Sequence, residues 1–131
     1  MTAQSLTGFR VLIVEDEMLI AMDIEQTLKA LGCDVLGPIA SLKHALRVAT
    51  AEPFDAAFLD VTIRNDFVYP VAEMLLERGI PFVLASGYGK WALPESMREH
   101  LRLTKPFTTK DLETAVWALF NESSRRKSLV E

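Results

Sequence analysis

Five short apolar runs alternate along the chain with stretches whose apolar residues recur at helical spacing. The first run is Phe9-Arg10-Val11-Leu12-Ile13-Val14, and it stops on Glu15-Asp16-Glu17. Ile20, Ile24, Leu28 and Leu31 then mark a helix, with Gly32 as its stop signal. Asp16 or Glu17 falls at the strand-to-helix junction, where a helix N-terminus tolerates negative charge. Asp34-Val35-Leu36-Gly37 is a weaker strand closed by Pro38, and a proline at that place predicts a sheet edge. Ser41 caps a second helix with a face of Leu42, Ala45, Leu46 and Ala49, and His44 sits off that face as a surface histidine. The third run, Phe54-Asp55-Ala56-Ala57-Phe58-Leu59, ends on Asp60 and reads as a strand buried on both faces.

A polar loop from Thr62 to Asp66 follows, then a helix with Pro70 in its first turn, an apolar face of Val68, Val71, Ala72 and Leu75, and Gly79 at its end. The fourth run, residues 80–85, finishes on Ser86-Gly87-Tyr88-Gly89, where the glycines suit a tight turn and leave the Ser86 hydroxyl at the strand tip. Residues 94–101 carry only a weak helical pattern. Leu101-Arg102-Leu103-Thr104 is the fifth strand, ending on Lys105-Pro106. Thr108 and Asp111 form a capping box before Leu112, Ala115, Val116 and Leu119, and the polar stretch from Ser123 reads as a frayed end. Strands alternating with helices imply a parallel sheet covered on both faces.

Composition narrows the function. At 131 residues the chain has room for one real core, expected over 9–121, between an N-terminal extension at 1–8 and a polar tail at 122–131. A net charge of −4 and a pI near 5.2 argue against a general affinity for nucleic acid backbone. No apolar run approaches the ~20 residues that span a bilayer, and no secretory leader pattern opens the chain. Cys33, the lone cysteine, is expected as a small buried hydrophobe, consistent with a reducing, cytoplasmic setting.

Every strand that ends on a polar group places it at one edge of the sheet, where an open parallel sheet carries its ligand crevice. Glu15, Asp16 and Asp60 converging there would repel one another unless a cation joins them. An oxygen-only ligand set favours Mg²⁺, which keeps waters and bridges to phosphates. Lys105 adds a fixed positive charge and Ser86 a hydroxyl. Together these are the parts needed to stabilise a phosphoryl group moving onto a carboxylate.

Val-Glu-Asp-Glu at 14–17, Phe-Leu-Asp-Val at 58–61, Ala-Ser-Gly-Tyr at 85–88 and Thr-Lys-Pro-Phe at 104–107 resemble the motifs of a response-regulator receiver domain of two-component signalling. Residues 81–89, with Asp60-Val-Thr-Ile-Arg and Val68-Tyr69-Pro70-Val71, are similar to stand-alone receivers with a Phe-Ala-Thr-Gly-X-Tyr signature. The resemblance implies a flavodoxin-like doubly wound α/β fold, a five-stranded parallel sheet of order 2-1-3-4-5. It implies that Asp60 accepts a phosphoryl group from a sensor histidine kinase or phosphotransfer protein. Asp16, Asp60 and the Thr62 backbone carbonyl would hold Mg²⁺, with Glu15 acting through metal-bound water. Lys105 would contact a phosphoryl oxygen, and Ser86 would swing toward it as the switch.

Two positions depart from the pattern. Ser86 stands where the signature has threonine, and Arg102 stands three before the lysine, where many receivers carry a switching aromatic. Ordering of residues 87–100, the segment expected to be least stable, is therefore expected to remodel the face shared with the fifth strand and the last helix. That face would bind a downstream protein, or the chain would serve as a phosphate sink. The alternatives from other classes are a degenerate receiver binding partners without phosphorylation, and an aspartate-dependent phosphohydrolase. The latter typically carries a second Asp two positions after the nucleophile, where Thr62 stands.

Overall fold

The structure is a computed structural model that describes residues 5–87, 94 and 100–130. The element order is β1 (Arg10–Val14), α1 (Met18–Ala30), β2 (Asp34–Ile39), α2 (Leu42–Ala51), β3 (Ala56–Asp60), β4 (Thr62–Ile63), β5 (Asp66–Phe67), α3 (Tyr69–Arg78), β6 (Phe82–Gly87), β7 (Leu101–Lys105) and α4 (Thr109–Val130). Five strands pair in parallel in the order β2-β1-β3-β6-β7. With β6 and β7 as the fourth and fifth strands of the sheet, this is the expected doubly wound fold.

Alternation along the strands builds two cores. Leu12, Val14, Ala57, Leu59, Phe82 and Leu84 point to one face and pack with Ala45 and Ala49 of α2 and Val71, Ala72 and Leu75 of α3. Val11, Ile13, Ala56, Phe58, Val83 and Ala85 point to the other, against Ile24 and Leu28 of α1 and Leu112, Ala115 and Val116 of α4. β3 is buried at every position, so Asp60 emerges from the driest strand of the sheet.

The expected helix signals hold. Ser41 Oγ accepts from the His44 N–H at 3.3 Å, Thr108 and Asp111 exchange bonds of 3.0 and 3.1 Å, and Gly79 closes α3 with φ of 70°. His44 is exposed and Cys33 buried, as expected.

Three local expectations are corrected. Pro38 does not close the second strand. β2 runs on to Ile39, opposing Leu36 to Leu12 and Ile39 to Val14, so one extra residue bulges out of an edge strand where a missing N–H is tolerated. Gly37, at φ of 104°, admits no side chain there, because a Cβ would lie 2.7 Å from the Ile13 carbonyl oxygen.

The polar loop after Asp60 is a two-stranded antiparallel hairpin pairing Thr62 with Phe67 and Ile63 with Asp66. Finally, the stretch from Ser123 is not frayed. α4 continues to Val130, because Ser123 stays buried one turn beyond Leu119 and Glu122 pairs with Arg125 at 2.8 Å and Arg126 at 2.9 Å. Those two guanidinium groups hold the Glu122 carboxyl down at about 2. The weak helix expected at 94–101 and the segment 87–100 expected to switch lie mostly outside the described residues.

A candidate phosphoacceptor and metal site

The carboxyl ends of β1, β3, β6 and β7 meet at one open cleft of about 340 Å³. Asp16, Asp60, Thr62, Ser86 and Lys105 line it, with Glu17 and Arg64 also on its wall. Glu15 lies behind that wall, only 2 % exposed. All six residues expected at the site are thus brought to one sheet edge.

Asp60 is held by both of its oxygens. Oδ1 accepts the Thr62 N–H at 3.2 Å, and Oδ2 accepts from Lys105 Nζ at 2.9 Å. The same ammonium reaches Glu15 Oε1 at 2.8 Å and lies 3.7 Å from Glu17. Register explains the meeting. Asp60 pairs with Ala85 on β6, Ser86 and Gly87 pair with Thr104 and Lys105 on β7, and each step brings a polar residue level with the cleft. β6 therefore extends through Ser86 and Gly87 instead of turning at Gly87. Ser86 is buried just inside the strand end and lines the cleft.

Oxygens of Glu15, Asp16 and Asp60 all lie within 4.8 Å of one another. The electrostatic consequence falls on Glu15. Burial, reinforced by the neighbouring Asp60 and opposed by Lys105, pushes its carboxyl up to about 7. Burial works against the charge of Lys105, but Glu15 and Asp60 outweigh it and hold its ammonium above the ordinary range. One ammonium does not neutralise three crowded carboxylates. Hard oxygen donors with a deficit of positive charge fit a hard divalent cation such as Mg²⁺.

The sequence pointed to the carboxylates and the lysine but not to two neighbours. Glu17 donates its N–H to Glu15 Oε2 at 3.1 Å, and Arg64 donates its N–H to Asp16 Oδ2 at 2.8 Å. The second contact depends on the hairpin, whose two-residue strands are too short to leave a periodic signal in the sequence.

No family model matches the chain. Over 111 residues it is 32% identical to the transcriptional regulatory protein PdtaR of Mycobacterium tuberculosis, a match covering 82% of this chain and 54% of that protein. The chain thus spans about half the length of the curated relatives it matches. The solution structure of SdrG from Sphingomonas melonis Fr1 superposes with a TM-score of 0.77 at 38% identity, covering 89% of this chain and 99% of that one. A BeF3-activated conformation of SdrG superposes with a TM-score of 0.71. A response regulator receiver protein from Sinorhizobium medicae WSM419 matches with a TM-score of 0.76 at 26% identity, over 91% of this chain and 99% of that one.

The chain belongs to the response-regulator receiver family. Of the two positions expected to depart from the family pattern, Ser86 places a residue with a hydroxyl on the cleft wall and Arg102 is exposed on β7. No helix among the described residues is long and apolar enough to cross a membrane.

Proposed function

We propose that this receiver is a phosphoacceptor of two-component signalling in the cytosol, taking a phosphoryl group on Asp60 from a histidine kinase or phosphotransfer protein. The observation that carries the proposal is the fixed carboxylate of Asp60, gripped by Lys105 and the Thr62 N–H and facing an open cleft.

In the transfer, an Asp60 oxygen forms the new O–P bond as the N–P bond to the donor imidazole breaks, and the electron pair of that bond leaves on the imidazole nitrogen. Lys105 is already within 2.9 Å of the acceptor, so its ammonium sits where the added phosphoryl charge develops. The Thr62 N–H keeps the carboxylate from rotating away from the attacking direction. Asp16 and Asp60 would hold Mg²⁺, with the Thr62 carbonyl as a third protein ligand and Glu15 acting through a metal-bound water. A bound Mg²⁺ would supply the positive charge that offsets the phosphoryl oxygens. Ser86 would then read the new phosphoryl oxygen with its hydroxyl.

Output goes to a downstream protein on the face of β7 and α4. A groove of about 240 Å³ between Leu101, Leu103, Thr114 and Ala118 supports that assignment. Hydrolytic turnover is disfavoured, because Thr62 occupies the place two residues after Asp60 and is exposed there without a carboxylate.

Intact mass after incubation with acetyl phosphate and Mg²⁺ tests the acceptor. Wild type should gain one phosphoryl group and Asp60→Asn none, whereas equal labelling of both removes Asp60 from the role. Ser86→Ala should still be labelled, yet lose the phosphorylation-dependent NMR shifts along β6 and β7. Retention of those shifts would show that the hydroxyl does not transmit the change.

A further inference from the structure

Arg64 is unused by the chemistry above, and three observations single it out. Among the described residues it is the one non-glycine with a positive φ, 58°, at the tip of the β4–β5 hairpin. Glycine would be the undemanding occupant of that backbone, so an arginine is held there against local preference. The conformation aims its N–H at Asp16 Oδ2, 2.8 Å away and 48 residues distant in sequence. The hairpin thereby grips two acids of the cluster with its own backbone, Asp60 at its base through Thr62 and Asp16 at its tip through Arg64.

The third observation is the charge inventory of the cleft. Asp16, Glu17 and Asp60 line it, and its two cations are Lys105 and Arg64. Lys105 is committed to Glu15 and Asp60 at 2.8 and 2.9 Å. The exposed Arg64 guanidinium makes no ion pair among the described residues. A phosphodonor is an anion approaching a protein of net charge −4, toward a cleft walled by carboxylates. A planar fork of donors carried by a residue that lines the cleft is suited to receive phosphoryl oxygens, which a lysine already shared between two carboxylates is not.

We propose that Arg64 is the donor-capturing residue of this receiver, its guanidinium binding the phosphoryl oxygens of the incoming donor while its backbone N–H fixes the hairpin on Asp16. The assignment rests on the phosphoacceptor role of Asp60. Arg64 therefore governs how readily the donor is held, and Asp60 and Lys105 govern how fast the held donor reacts.

The test compares wild type, Arg64→Gly and Arg64→Lys with acetyl phosphate in Mg²⁺, following labelling by mass. Glycine keeps the positive φ and the N–H to Asp16 while deleting the cation, and exchange protection of the residue-64 amide verifies that the clamp survives. Arg64→Gly should need about fivefold more acetyl phosphate for half-maximal rate, with the limiting rate unchanged. Arg64→Lys should recover most of the loss, and in ~1 M salt the difference should shrink below about twofold. Without Mg²⁺ or turnover, inorganic phosphate should shift the Arg64 Nε–H resonance while leaving that of exposed Arg47 in place. Wild-type behaviour in Arg64→Gly overturns the proposal. So does a reduced limiting rate that ignores salt, which would make Arg64 purely structural. A wild type that takes no label at all removes the Asp60 assignment and this one with it, a result distinct from a labelled wild type indifferent to Arg64.

Discussion

The two ends of the sheet handle charge in opposite ways. At the amino end, each charge finds its own partner: one ion pair, a backbone N–H, a backbone carbonyl or an aromatic face. Asp55 accepts the Arg10 N–H at 2.8 Å and lies 3.4 Å from Lys127, while Arg78 donates to the Ala49 carbonyl and lies over the Phe54 ring. At the carboxyl end, Glu15, Asp16 and Asp60 crowd together around the single ammonium of Lys105. The same strands connect both ends, but Glu15 and Asp60 at the carboxyl end are buried while the Asp55–Lys127 pair at the amino end is largely exposed. One end has its charges satisfied by the chain itself, and the other is short of positive charge until something binds. Stability and ligand affinity are drawn from the same carboxylates, and the carboxyl end gives up the first for the second.

The contrast should be sharpest on removing Lys105. Lys105→Met strips the one counter-charge from two buried acids and should cost about 3 kcal/mol of stability at pH 8. The loss should shrink below pH 7, where Glu15 takes up its proton. Equal loss on both sides of that pH in chemical denaturation would show that Lys105 stabilises by packing alone.

Next comes the pH dependence of the metal-free wild type. Glu15 keeps its proton to about 7 in the folded chain, against an ordinary value of 4.5 once unfolded. Below 4.5 both states hold the proton and nothing is lost. As pH rises through 7, the folded state alone must surrender a proton it prefers to keep. Stability should therefore fall by about 1–3 kcal/mol between pH 5 and 8, and Glu15→Gln or Mg²⁺ should flatten the slope. A rising curve in denaturant melts would contradict the shift.

A smaller gain is expected from Asp60→Asn, which exchanges a carboxylate beside Glu15 for an amide that can donate to it. Without divalent ions the variant should be about 1 kcal/mol more stable than wild type. Added Mg²⁺ should reverse the order, because only wild type keeps the full ligand set. At the amino end, Lys127→Met removes an exposed pair and should cost no more than about 0.5 kcal/mol, with little change between pH 5 and 8. A cost like that of Lys105→Met would erase the distinction between the two ends.

The architecture was legible because the strands at 9–14, 54–59 and 80–85 announce themselves by apolar runs, and the helices by apolar faces bounded by Ser41, Thr108, Gly32 and Gly79. The run at 54–59 is buried on both sides, and a chain of that kind leaves β3 no place but the middle of a parallel sheet. Asp60 and Lys105 were legible for the same reason, as polar residues ending apolar strands. The hairpin at 62–67 was hidden, since two-residue strands are too short to show a period, and with it the contact from Arg64 to Asp16. The last turns of α4 were misread as a frayed end because their stability comes from Glu122 bridging two arginines and from Ser123 being covered, neither of which apolar periodicity records. Pro38 marked the edge of the sheet correctly but not the end of its strand, because a bulge lets the ladder resume at Ile39.

That bulge bears on how the protein behaves at high concentration. The outer margin of an open sheet is a template onto which another copy's strand can be laid, and repeated addition leads to aggregates. Along β2 the template is interrupted. Position 38 has no N–H to offer, Gly37 must hold a conformation that other residues resist, and the spacing of groups breaks between Leu36 and Ile39. A strand arriving from a second molecule would match this margin for only three residues before losing step. The irregular stretch thus protects the individual molecule from its neighbours while costing the sheet one regular rung.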